Sequence, residues 1–252
     1  MSSSSLWTRW LLSVPASQPP RSKRSKRLFA GYAALSVLHL GFILAGLTLG
    51  RDLSKPLLML VLIAAVGTTM PRLLLGALLA SCAGDVFLIF GGSWFLLGMG
   101  GFAIGHVCYV TGFVRGGALR DRARLLRIAA PYTAAWAVLI TLLWPGLDAG
   151  LRIPLAVYSL LLTATAVSSA CAGLRTGLGG GLFLLSDTLI ASGLAHWPQL
   201  PAASFWVMST YLAAQYLLAT GIVAQSAATA PEAGVTASGR PRQPQAAAPG
   251  GH

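Results

Sequence analysis

Long apolar runs separated by short polar joints dominate the chain. A window of about 19 residues, the length of helix that crosses a bilayer, picks out runs over residues 28–50, 56–70, 73–90, 94–114, 125–143, 153–174, 179–194 and 205–224. The pattern predicts an all-α membrane bundle of eight transmembrane helices. The second and seventh runs are the shortest, so their ends are the least defined by hydropathy.

On either side of the 28–224 membrane domain the pattern fails. Residues 1–27 hold one apolar patch (6–14) followed by PPRSKRSKR. The patch is too short to span and its positive cluster comes after it, the reverse of a cleaved signal peptide. The segment reads as a disordered, basic cytosolic tail able to touch anionic lipid. Residues 225–252 turn to Ala, Pro, Gly, Gln and Ser with few aliphatic side chains, which reads as a second disordered tail.

Composition agrees with a membrane domain: 55% of the 252 residues are apolar and only 10% are charged. The net charge of +12 does not imply nucleic acid, because the basic residues sit in short segments flanking apolar runs and form no soluble stripe. Eight alternating spans would put only Arg51, Lys55 and Arg152 outside, and the other fifteen of the 18 Lys and Arg inside. That bias predicts an integral protein, of a bacterial-type plasma membrane, with both termini cytosolic. Cys82, Cys108 and Cys171 all fall in apolar runs without CxxC spacing and read as small core residues.

Two acids break the apolar runs, Asp85 in the third and Asp187 in the seventh. Intramembrane acids cost roughly 2.5–3.5 kcal/mol or more at the bilayer centre, face the bundle interior and mark functional sites. The structural alternative for Asp85 is an ion pair with Lys55 or Arg152. A weak internal repeat links the acids: LLASCAGDVFLIF resembles GGLFLLSDTLIAS, Gly84 and Ser186 precede the acids, and Tyr109 and Tyr211 each follow by 24 residues. Both acidic helices run in one direction, so the repeat would be a parallel four-plus-four. The GLGGG run before Asp187 lacks the GK[ST] of a phosphate loop and reads as a flexible or tightly packed helix entry.

Other polar residues inside the spans supply a shell. His106 has Tyr109 one turn on and can hydrogen-bond a carboxylate, whereas His39 reads as a bonded core residue. Tyr158 lies in the sixth run, and Tyr211 and Gln215 share one face of the eighth at a spacing of four. Interhelical hydrogen bonds of about 0.6–2 kcal/mol would explain these residues structurally. No His, Cys, Asp or Glu cluster has metal-ligand spacing, so neither metal nor cofactor is expected.

GD at 84 and 85, HVCY at 106–109, KP at 55 and 56, Tyr158, LFLLSD at 182–187 and YLAAQ at 211–215 together resemble the YhhN family of membrane proteins, which includes the animal transmembrane lysoplasmalogenases. The resemblance covers about residues 28–224 and rests on the order and spacing of these motifs. It implies an eight-helix hydrolase that cleaves the vinyl ether bond of a membrane lysoplasmalogen to a fatty aldehyde and a glycerophospho-base. Asp85 and Asp187 would be the catalytic pair, with Lys55, His106, Tyr109, Tyr158, Ser186, Tyr211 and Gln215 around them.

The chemistry suits the residues independently. A vinyl ether hydrolyses by protonation of its β-carbon, capture of the oxocarbenium ion by water and collapse of the hemiacetal. One protonated and one ionised carboxyl can divide that work, much as in glycosidases. A proton-coupled transporter or exporter would also retain two membrane acids and a histidine as a relay. A non-catalytic lipid-binding scaffold would need neither acid.

Overall fold

A computed structural model describes residues 23–67 and 70–229; the expected tails over 1–22 and 230–252 lie outside the described residues. Eight long helices occupy the described chain: α1 (Lys23–Leu44), α2 (Thr48–Val66), α3 (Arg72–Phe90), α4 (Trp94–Arg115), α5 (Arg122–Leu143), α6 (Ala149–Ala172), α7 (Leu174–Leu194) and α8 (Ala203–Thr229). A 3₁₀ turn, Trp144–Gly146, follows α5, and no strand occurs among the described residues. Two ends run past the expected limits, since residues 23–27 open α1 and residues 225–229 close α8.

Seven of these helices are long and apolar enough to cross a membrane. The exception is α2, so the expectation of eight transmembrane helices is met in helix number but not in span character. Hydropathy placed residues 28–50 in one run and Arg51 to Lys55 in a loop. Instead the chain turns at Gly46, whose φ of 68° suits a residue without a Cβ. Helix α2 then starts at Thr48 and carries Arg51, Asp52 and Lys55 in its first turns. That places charged side chains at one end of the bundle, directed by a helix.

Six helices close a ring in the order α2, α3, α4, α6, α7, α8, with α1 lying on α2 and α8 and α5 lying on α6. The tightest contacts, α3 with α4 and α7 with α8, are made through small residues, as is usual where lipid supplies no hydrophobic drive between helices. A Cβ added at Gly101 would lie 2.8 Å from the backbone nitrogen of Gly84, and one at Gly179 would lie 2.9 Å from that of Leu218. Within GLGGG, Gly180 plays the same part toward α6, where an added Cβ would meet the Ala166 Cα at 3.0 Å.

The peripheral helices contribute little to the interior: the only buried residues of α1 are Tyr32 and His39, and the only one of α5 is Leu143. The core is a cluster that includes Leu58, Met59, Leu62, Leu78, Phe102, Tyr109, Phe183 and Tyr211. Bonds such as Ser25 Oγ to the Ala65 carbonyl and Gln225 Nε2 to the Ala172 carbonyl join the start of α1 to the end of α2, and the end of α8 to the end of α6. The start of α1 and the end of α8 therefore lie at the same end of the bundle.

Candidate active site

Each helix of the ring contributes to one polar constellation, and α1 and α5 contribute nothing to it. Asp85 on α3 is buried, with 2% of its side chain exposed, and its Oδ1 lies 3.3 Å from Lys55 Nζ on α2. Tyr211 on α8 donates to Asp85 Oδ2 at 2.7 Å. Behind it, Gln215 Nε2 donates to the Tyr211 hydroxyl at 3.3 Å, and Gln215 Oε1 accepts from Tyr109 of α4 at 2.6 Å. The i, i+4 spacing of Tyr211 and Gln215 on one helix face makes the middle bond of that chain.

Asp187 on α7 is half-buried and sits in a different setting. Its Oδ2 accepts from the Tyr158 hydroxyl of α6, and the Tyr158 oxygen lies 3.4 Å from His106 Nε2 of α4. With the phenol proton given to Asp187, the imidazole donates from Nε2. His106 Nδ1 is then the acceptor nitrogen, buried and without a partner. Among the described residues no cation pairs with Asp187; the salt bridges are those of Asp85 with Lys55 and of Asp52 with Arg51.

The arms meet across aromatic rings. Phe183 packs edge-on against His106 at 4.6 Å and against Tyr211 at 5.5 Å, and Phe102 packs against Tyr211 at 5.8 Å between ring centres. Asp85 and Asp187 line one small cavity, together with Lys55, Tyr158, Ser186 and Tyr211 and the apolar side chains of Leu88, Phe95, Met99, Phe102 and Met208. A largely apolar pocket with a few convergent polar groups is the usual form of a small-molecule site. A second cavity touches Tyr158 and Asp187 from the other side, walled by Trp136 and Leu139 of α5.

All nine residues singled out from the sequence fall in or behind this cavity, in distinct roles. Ser186 lines it, but its hydroxyl donates to the Val207 carbonyl at 3.0 Å and so ties α7 to α8. Tyr109 lies behind Gln215 and does not line the cavity. Arg152, the other partner considered for Asp85, donates instead to the Leu147 carbonyl. The four-plus-four repeat is not followed by the bonding: Asp85 takes Tyr211, but Asp187 takes Tyr158 in place of Tyr109.

Sequence inspection passed over Phe102 and Phe183. A phenylalanine in an apolar helix carries no mark of which way it faces, although each stands four residues before a polar site residue, His106 or Asp187, on the same face. Among the described residues, no three His, Cys, Asp or Glu side chains gather as a metal site would need.

Fold and cavity define an integral membrane protein, a helical bundle built around two acids in an apolar pocket. Residues 50–222 match the model of the YhhN family, and the chain belongs to that family. It is 36% identical over 147 residues to lysoplasmalogenase TMEM86B of Homo sapiens, covering 58% of this chain and 62% of that protein. The Sus scrofa protein of the same name is also 36% identical, over 58% of this chain and 62% of its own. For the Rattus norvegicus protein of that name the figures are 34% identity, 65% and 68%. The chain thus spans less than two thirds of the human and pig relatives. No solved structure matches it.

Proposed function

We propose that the protein is a membrane hydrolase that cleaves the vinyl ether bond of a lysoplasmalogen-type lipid by acid catalysis between Asp187 and Asp85. The observation that carries this is the unequal pairing of two carboxyls in one apolar cavity, Asp85 with the Lys55 cation and Asp187 with neutral groups only. Relatives named lysoplasmalogenase supply the bond that such a pair would act on.

In this scheme Asp187 is the acid. Its Oδ2 is held by Tyr158, so Oδ1 carries the proton and delivers it to the β-carbon of the vinyl ether. The electron pair of the C=C bond forms the new C–H bond, and the ether oxygen shares the resulting positive charge as an oxocarbenium ion. Asp85, kept ionised by Lys55, stabilises that cation across the cavity, the differential interaction that accelerates a reaction. Water then adds to the cation and returns a proton to Asp187. The hemiacetal collapses to aldehyde and glyceryl alcohol, with one water consumed and the acid restored. The apolar walls suit the alkenyl chain.

The bias of fifteen Lys and Arg to one side of eight alternating helices against three to the other supports placing both termini in the cytosol. The charged first turns of α2 would then face the outer surface, with the acids in the outer half of the membrane.

The test uses purified full-length protein in detergent with 1-alkenyl, 1-alkyl and 1-acyl lysophosphatidylethanolamine. Mass spectrometry should find fatty aldehyde and glycerophosphoethanolamine from the alkenyl lipid alone. No product from any of the three would remove the hydrolase reading, and lipid-dependent proton flux in proteoliposomes would put a transporter in its place.

A further inference from the structure

The second cavity shares Leu155, Tyr158 and Asp187 with the acid cavity. A single layer of side chains thus stands between the two spaces, and Asp187 borders both. Beyond that layer the second cavity lies among α5, α6 and α7, and along α5 it extends from Leu143 to Tyr132. That stretch of helix rises about 16 Å, roughly half the thickness of a bilayer's hydrocarbon core.

The lining suits hydrocarbon. Asp187 is the one charged side chain among the described residues around this space. The Ser159, Thr163 and Thr188 hydroxyls are turned back onto their own helices, donating to the carbonyls of Ala156 at 3.1 Å, Ser159 at 2.8 Å and Leu184 at 2.7 Å. Trp136 Nε1 is likewise engaged, donating to Ser159 Oγ at 3.0 Å. The outer wall is thin, because α5 packs closely only on α6 and Leu143 is its one buried residue. Val138 and Leu142 of α5 and Leu185 of α7 are exposed, so a lipid-facing seam runs between α5 and α7.

We propose that the second cavity holds the hydrocarbon chain of the lipid whose vinyl ether lies between the acids, and that the chain enters from the bilayer through the α5–α7 seam. The acid cavity is small and takes the vinyl ether with the carbons next to it, so a long chain continues into the apolar space that adjoins it at Asp187. Leu155 is the apolar member of the shared layer, and the chain passes over it. The order of atoms then fixes which end of the double bond meets which acid. The β-carbon is the one joined to the chain, so it lies at Asp187, and the ether oxygen and α-carbon lie toward Asp85. That is the order required for Asp187 to protonate the β-carbon while Asp85 faces the oxocarbenium ion. The fatty aldehyde is formed with its chain already in the seam and leaves sideways into the membrane. The assignment rests on the hydrolase reading in taking as ligand a single-chain lipid with its reactive end at the acids.

The test locates the chain without turnover. A saturated 1-alkyl lysophosphatidylethanolamine has no vinyl ether to cleave, and a photoreactive diazirine is placed near the middle of its hexadecyl chain. Irradiation with the full-length protein in detergent, followed by peptide mass spectrometry, should label cavity residues of α5 and α7 such as Leu139 and Leu184. Excess unlabelled lipid should suppress that label but not any on outward residues such as Val138, which reports the surrounding detergent. Ala135 is exposed and lines the cavity, whereas its exposed neighbour Ala134 does not. Ala135→Trp should fill the space and weaken binding of the hexadecyl lipid about tenfold, the worth of roughly two buried methylene groups. Ala134→Trp should leave affinity unchanged.

Displaceable label confined to α2 or α8, or no displaceable label, would overturn the subsite, as would equal affinities of a folded Ala135→Trp and the unaltered protein. If Ala135→Trp does not fold, the label map of the unaltered protein decides. Aldehyde release from the alkenyl lipid is measured in parallel. Displaceable label in the cavity without turnover would count against the hydrolase alone, and turnover without such label against the subsite alone.

Discussion

Asp85 is held by a cation and by a phenol backed by an amide and a second phenol, whereas Asp187 is held by one phenol that leans on an imidazole with a free nitrogen. The first arm is nearly saturated with hydrogen bonds and joins α2, α3, α4 and α8; the second is sparse and joins α4, α6 and α7. Similar residue types have thus been given different tasks by their neighbours. A carboxylate matched to a buried cation is fixed in charge, because losing either partner strands the other. A carboxyl among neutral groups can hold or release a proton without stranding a charge, which is what an acid catalyst must do.

The largest expected effect tests that difference directly. Asp85→Asn and Asp187→Asn should each lower aldehyde release by about 10² to 10⁴-fold, the usual loss with a positioned proton donor or its charged counterpart. Stability should then separate the arms. Asp85→Asn leaves Lys55, 16% exposed, without its counter-charge and should cost about 3–5 kcal/mol. Asp187→Asn keeps an oxygen for Tyr158 and should cost under about 1 kcal/mol. Thermal unfolding in detergent alongside the activity assay measures both, and equal destabilisation by the two variants would dissolve the contrast.

Next in size is Lys55→Met. Alone it should destabilise by about 3 kcal/mol, because Asp85 then carries an unpaired buried charge. Combined with Asp85→Asn it should regain most of that loss, a coupling of at least about 2 kcal/mol in a double-mutant cycle, and still show no turnover. Additive losses would mean that the 3.3 Å approach is not an energetic pair.

Smaller again is the pair Tyr158→Phe and Tyr211→Phe. Removing the Tyr158 hydroxyl takes from Asp187 its only phenol and cuts it off from His106, so turnover should fall roughly 10- to 30-fold, the worth of a hydrogen bond to a charged or reacting group. Tyr211→Phe leaves Asp85 with Lys55 and should cost about threefold. Steady-state kinetics with the alkenyl lipid rank the two, and a reversed order would assign the acid to the other arm.

How far these arms could be read from the sequence depends on the range of each interaction. Helices are set by local hydropathy, so seven spans were legible as apolar runs, and the shared face of Tyr211 and Gln215 followed from their spacing. The start of α2 was not legible, because Arg51, Asp52 and Lys55 score as a polar loop even where a helix carries them to the end of a bundle. Pairing between helices was legible only as a list of candidates. His106 and Tyr109 lie one turn apart on α4 yet serve different arms, a division set by how α4 packs between α3 and α6 and by no pattern along α4 itself. The Phe102 and Phe183 rings were hidden for a related reason: in an all-apolar helix, orientation is decided by packing alone.

The smallest effects lie at the back of the Asp85 arm and show whether it acts as a unit. Gln215 is fully buried, and by donating to the Tyr211 oxygen it directs that phenol's proton toward Asp85. Gln215→Leu removes this direction but leaves the phenol in place, so stability should drop by about 0.6–1.7 kcal/mol, the range for polar contacts between membrane helices, with turnover down only about twofold. Tyr109→Phe removes one further bond, 2.6 Å from Gln215, with two residues between it and Asp85. It should lower the unfolding temperature without measurably changing kcat or KM. If Tyr109→Phe slowed aldehyde release as much as Tyr211→Phe does, the chain would transmit hydrogen-bond polarity over its whole length. The saturated arm would then be part of the catalytic apparatus and not only the mounting for a charge.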